Sequence, residues 1–298
     1  MPSPTSDLPS SSPLAVTTYS PESPLRNPLK LILTIFADIW RSRELIGMLF
    51  MRDLKAAYRQ SYLGYIWILL PPIASTAAWY YMTSQKLINV GSTAIPYPAF
   101  VMTGQIIWGT FTAAFGAPQA GFNGGSGVFM KLKVPPEAFI ANSVAKIIFD
   151  LLVKTILIIA IFAIFWGDLN LTWTVLLVPL GLAITMLFGI SLGLFMVPIG
   201  SLYSDIGRIV GIAMPFLMYT TPVIFPLAKG DGLAATLMSW NPLSPAIEVT
   251  RCWLTQGAAD PNLVFNFLIL IPISLILGII GLVILRIAMP HLVVRMGM

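Results

Sequence analysis

No charged residue occurs between Arg59 and Lys86. At about 1.5 Å of helical rise per residue, such a run is long enough to cross a hydrocarbon core of ~30 Å. The residues just before it follow a different pattern. Arg41, Glu44, Met48, Arg52, Lys55 and Arg59 step by three or four and share one helix face, while Ile46, Phe50, Leu54 and Ala57 fall on the other. Arg43 and Asp53 are the residues that break it. A basic amphipathic helix of this type lies in the plane of a membrane surface. The stretch 41–82 therefore predicts a chain that slides along a membrane face and then dives through it. Two partners fit the basic face: lipid headgroups alone, or a cytosolic protein that uses the helix as a platform.

The rest of the chain has the same character. Of its 298 residues, 57% are hydrophobic and 10% charged, with a mean hydropathy of +0.84. Soluble domains carry about 25% charged residues, so this composition predicts a polytopic membrane protein built as one membrane domain. The single cysteine, Cys252, excludes an internal disulfide framework and a Cys-rich metal site. The net charge of +5 does not point to nucleic acid, because the bases flank apolar spans. Residues 1–28, rich in Ser, Pro and Thr, predict a disordered cytoplasmic tail without the basic start and apolar core of a cleaved signal peptide. Leu29, Ile32, Leu33, Phe36, Ile39 and Trp40 repeat at helical spacing and make 29–60 a pair of amphipathic interface helices.

Six spans are predicted within 61–288, at 62–82, 97–117, 139–166, 171–200, 209–225 and 262–285. The fourth is long and interrupted by Gly and Pro, which predicts a kink or an extension beyond the membrane. With the N-terminus in the cytoplasm, all 17 lysines and arginines except Lys86, Lys229 and Arg251 fall on the inner side or within the third span. The positive-inside rule then makes both termini cytoplasmic, including the tail 289–298. Lys146, Asp150 and Lys154 step by four along the third span and predict an ion-paired strip, either a tie between helices or part of a transport path. The one histidine, His291, lies beyond the last span, so nothing indicates a proton relay.

The loop 119–136 carries Gly121, Gly124, Gly125 and Gly127. No Lys-Ser/Thr follows them and no strand precedes them, which excludes a phosphate-binding loop and predicts a flexible turn into a short helix. Arg52-Asp53-Leu54-Lys55, Tyr58-Arg59-Gln60-Ser61, Leu63-Gly64, Trp67 and Leu70-Pro71 together resemble the start of ABC-2 type transporter permeases. The nearest subgroup exports lipid-linked polysaccharides such as O-antigen. Ala57 departs from the pattern, where members often carry a base. The segment 128–137, VFMKLKVPPE, resembles the family's coupling-helix region, a short cytoplasmic helix seated in a cleft of the ATPase subunit. By that resemblance Phe129 and Met130 would fill an apolar cleft and Lys131 and Lys133 would pair with acids at its rim, with Pro135 and Glu137 completing the segment. A basic loop that only obeys the topology rule is the alternative reading. The turn Asp205-Ile206-Gly207-Arg208 and the element Thr221-Pro222-Val223-Ile224-Phe225-Pro226 resemble the family as well.

The outer segment 227–261 is too apolar for an ordinary loop. Residues 234–240 and 245–254 read as short helices, the second with Ser244 as N-cap and Pro245 at its first helical position. Glu248 and Arg251 are spaced to pair on that helix. Asn241 and Pro242, followed by Glu248 and Arg251, resemble the family's signature between its last two spans, which implies re-entrant helices at the outer mouth. The expected fold class is thus an all-α membrane protein: six transmembrane helices, an N-terminal amphipathic interface helix, a cytoplasmic coupling helix, and re-entrant outer helices between spans five and six. Tyr62, Tyr65, Trp67, Trp79, Tyr80, Phe216 and Tyr219 either line a conduit or form belts at the membrane surfaces.

A membrane-bound glycan enzyme is the rival class. The sequence holds no Asp-x-Asp, no His/Glu metal spacing, no Ser-His-Asp set and no Walker A motif. The resemblance implies a permease that is not itself an enzyme. It further implies two copies forming a channel in the bacterial cytoplasmic (inner) membrane, above two ATP-binding ABC subunits that hold ATP and Mg. Its cargo would be an undecaprenyl-linked polysaccharide, with membrane lipids around it and no nucleic acid; a teichoic acid, drug or lipid is the alternative cargo.

Overall fold

The computed structural model describes residues 28–59, 61–129, 134–170, 172–228, 230 and 232–296, and among them every regular element is helical. The expected tail lies, over 1–27, outside the described residues. Helices α1 (Pro28–Arg41) and α2 (Arg43–Tyr58) meet at Ser42. Next come α3 (Ile66–Ser84), α4 (Tyr97–Phe129) and α5 (Pro136–Ile164). Two 3₁₀ turns, Trp166–Asp168 and Trp173–Leu177, lead into α6 (Val178–Leu202), followed by α7 (Ser204–Tyr219), α8 (Leu233–Trp240), α9 (Leu243–Thr255) and α10 (Pro261–Met296).

A helix that is apolar on every side seeks burial on every side, and α6 packs between α4 and α10. Small residues set the spacing. A Cβ at Gly189 of α6 would lie 2.8 Å from the Phe111 carbonyl oxygen of α4, so only glycine lets the two backbones touch. Close backbone approach is how helices associate in lipid, where tails are as apolar as the side chains they would replace. On the far side of α4 lies α5, and α2 lies against α5. One core cluster joins α4, α6, α9 and α10 through Trp108, Phe111, Phe188, Ile247, Trp253 and Phe267. A second gathers α2 and the ends of α4, α5, α6 and α10 around Leu49, Phe122, Phe129, Phe139, Val197 and Leu285.

Three helical stretches, Pro136–Ile164, Trp173–Leu202 and Pro261–Leu292, combine the length and hydropathy of a membrane span. The interruption expected in the fourth span sits at its start, as the 3₁₀ turn, and Pro198 does not break α6. Other ends depart from the sequence reading. The Gly-rich stretch expected as a flexible turn is helix, because α4 runs on to Phe129 and seats Gly121 and Gly125 against Phe139 of α5. No separate short helix stands between α4 and α5 among the described residues, and 130–133 lie outside them. The helix expected as span five ends at Tyr219, where Thr220–Phe225 turns back, and α10 carries on through the expected C-terminal tail to Met296.

Candidate transport and coupling site

Asp53, an off-pattern residue of the amphipathic helix, faces inward to α5. Its carboxylate accepts hydrogen bonds from Arg52 Nη2 at 2.8 Å, Asn142 Nδ2 at 2.9 Å and Lys146 Nζ at 3.0 Å. Burial pushes the Asp53 carboxyl up, but these three donors together outweigh it and hold it at about 2. Lys146 therefore pairs with α2, and not with Asp150 as the strip expected from sequence would have it. A cavity of about 440 Å³ opens beside this latch, lined by Asp53, Lys146, Asp150, Thr112 and Ser143. Arg52, Lys55 and Arg59 stay exposed, on the face expected for a headgroup or a partner.

Of the two residues expected to fill the cleft, Phe129 alone is described. Phe129, expected to project into a partner's cleft, is 8% exposed, with ring centroids 5.6 Å from Phe122 and 5.1 Å from Phe139. It holds the end of α4 to the start of α5 instead. Glu137 is buried too, and its Oε1 accepts from Arg286 Nη1 at 2.7 Å. Arg286 Nη2 also donates to Asp38 of α1 at 2.7 Å, so one arginine binds α1, α5 and α10 together. Pro135 precedes the first turn of α5 and lines a cavity of about 390 Å³ with Asp38 and Arg286. Met130, Lys131 and Lys133 lie outside the described residues.

The aromatic residues divide. Tyr62, Tyr65, Trp67 and Tyr80, at or along α3, and Phe216 and Tyr219 of α7 are exposed on a single chain. Trp79 is half-buried, with its ring 6.3 Å from Tyr219 and 6.2 Å from Phe225. Gln105 of α4 donates to Ser75 Oγ of α3 at 2.9 Å.

At the other end α9 is locked by a buried arginine. Arg251 has no exposed surface. Its Nη1 donates to Glu248 Oε2 at 2.6 Å, Nε to Thr103 Oγ1 at 3.4 Å, and Nη2 to the Pro222 carbonyl. The guanidinium stacks 3.7 Å from the Phe100 ring centre. A Cβ at Gly104 would come 2.7 Å from Nη2, so glycine makes room for the charge. Asn241 Nδ2 donates to Thr220 Oγ1 at 2.8 Å, and its Oδ1 accepts from the Leu243 amide at 3.0 Å. Asn241 thus fixes the start of α9, with Pro242 between them; the expected cap, Ser244, lies inside the helix with a buried, unpartnered hydroxyl. The Glu248–Arg251 pair was readable from spacing alone. Phe100, Thr103, Asn142, Asp38 and Arg286 were not singled out, because their partners lie far away in sequence.

Two ends of one bundle are therefore tied by charge: α2 to α5 at one, and α9 to α4 and the turn after α7 at the other. Such ties hold neighbouring helices to one another. The ABC-2 type transporter profile matches residues 44–253. The O-antigen export system permease protein RfbA of Myxococcus xanthus is 22% identical over 71% of this chain and 80% of its own length. The polysialic acid transport protein KpsM of Escherichia coli is 21% identical over 75% and 86%. The O-antigen export system permease protein RfbA of Klebsiella pneumoniae is 24% identical over 73% and 82%.

Proposed function

The chain belongs to the ABC-2 type transporter family, and on that premise we propose that it is the permease subunit of an exporter for a lipid-linked polysaccharide. The observation that carries this is the similarity, across most of each length, to permeases named for O-antigen export and polysialic acid transport. It is a transport subunit, not an enzyme, and separate ATP-binding subunits supply the energy, with ATP and Mg held there. Six spans with both termini in the cytoplasm of a bacterial inner membrane fit the inward distribution of bases. Two copies enclosing a channel fit the exposed aromatic faces of α3 and α7. ATP-driven closure of the partner subunits would reach the spans through α2 and the α4–α5 junction.

The test is genetic and chemical. Removing this chain from its host should abolish the surface polysaccharide and leave carrier-linked polymer in the inner leaflet, measured by extraction of the lipid carrier. Normal surface polymer with no accumulated intermediate would overturn the reading.

A further inference from the structure

A cavity of about 370 Å³ lies between α8, the start of α9 and the first turns of α10. Four neutral polar residues reach it: Ser239, Asn241, Ser244 and Asn266. Its remaining described walls are aliphatic, with Ile269 and Ile273 farthest along α10, and among the described residues neither a charge nor an aromatic ring lines it. Ser244 is 2% exposed, and its hydroxyl has no partner within the protein. The exposed side-chain amide of Asn266 offers this cavity a hydrogen-bond donor, which suits a group that accepts one.

Depth identifies the occupant. On the orientation given under Proposed function, on which this inference rests, Arg286 marks the inner edge of α10's apolar run. About 20 residues of helix cross a ~30 Å core, which puts the outer edge near Asn266. The polar residues then sit at the level of lipid ester carbonyls, and Ile269 and Ile273 sit among acyl chains. A phosphate would need a base and a sugar face favours an aromatic ring; the described lining offers neither. We infer that it holds one acyl chain of an outer-leaflet phospholipid. The ester carbonyl accepts from Asn266 Nδ2, and the chain follows Ile269 and Ile273. A lipid held there wedges α8 against α10 and braces the outer helices.

The experiment uses the full chain in nanodiscs of phosphatidylethanolamine and phosphatidylglycerol. A trace of phosphatidylcholine carries a diazirine midway along one acyl chain. After irradiation, label on 235–245 and 263–273 should exceed label on the exposed stretch 275–284 several-fold. Ala235→Phe, which fills the cavity, should erase that excess, and Leu237→Phe on the outer face of α8 should not. Asn266→Ala should lower it. If Ala235→Phe does not elute as a folded protein, Ala228→Leu fills the same space and replaces it. Even labelling along α10, unchanged by the filling variant, means annular lipid only and overturns the inference. Displacement of the label by soluble maltohexaose makes the cavity a glycan site and overturns it too. Gly230→Cys, with Cys252 replaced by Ala, separates the two readings. Reaction with an impermeant maleimide from the cytoplasmic side alone overturns the orientation as well as the inference. Reaction from outside, with labelling insensitive to Ala235→Phe, overturns the lipid site alone.

Discussion

Arg251 carries a full charge with no exposed surface, so its stability depends wholly on what surrounds it. Glu248 neutralises it, the Thr103 hydroxyl and Pro222 carbonyl take its other donors, and Phe100 covers its face. Removing one member of a buried pair costs about 3–5 kcal/mol, since the other charge stays buried and alone. Arg251→Ala should therefore lower the thermal stability of the purified permease by that order, and Arg251→Lys should fall between, because an ammonium cannot reproduce the planar fork. Arg251→Leu with Glu248→Leu should recover part of the loss. An Arg251→Ala protein that melts with the parent would show that the node ties nothing together. The family's Asn241, Pro242, Glu248 and Arg251 were legible as a signature, and spacing alone gave the ion pair. The carbonyl and the ring that complete the site were not, since only the fold brings them near.

Whole helices show the same division between local pattern and packing. The amphipathic period of α2 was readable, yet its off-pattern residue, Asp53, does the joining to α5. Its folded pKa of about 2 lies below the ordinary 3.8. The latch thus contributes stability that is complete above the ordinary value and is lost as pH falls toward 2. Spin labels at Lys55 of α2 and Ile148 of α5 should keep one distance from neutral pH down to about pH 4 and separate between there and about pH 2. Asp53→Asn should loosen the pair at neutral pH already. The α4 extension was misread for a physical reason. Each glycine costs a helix about 1 kcal/mol relative to alanine, so the cluster at 121–127 looks like a turn until Phe139 is packed against it. Phe129 follows from that packing. Phe129→Ala should cost the permease itself about 3–5 kcal/mol, and Phe129→Asp should prevent stable folding rather than merely undock a partner. Lys131→Ala should leave the permease intact and weaken co-purification of the ATPase only slightly, by the about 0.2–1 kcal/mol of an exposed pair.

Across the whole molecule, the lengths of α4 and α10 connect the two ends. With 33 residues, α4 extends about 50 Å, some 20 Å more than a hydrocarbon core. Its excess carries Phe122 and Phe129 into the cluster that also holds α2 and the end of α10. If that end is cytoplasmic, Ser126→Cys should react only from the cytoplasm and Gly232→Cys only from outside, once Cys252 is replaced. The family implies a separate ATP-binding subunit as the source of energy, and the sequence has no phosphate-binding loop of its own. The purified chain should hydrolyse no ATP above background, and hydrolysis should appear when the partner subunit is added. Separating hydrolysis from transport then tests the route between them. Asp53→Asn leaves the partner's ATP site untouched but frees α2 from α5. Reconstituted with the partner, it should keep basal hydrolysis while the polymer moved per ATP falls. Unchanged export per ATP would mean that α2 does not carry the stroke, leaving the Phe122–Phe129–Phe139 cluster as its path.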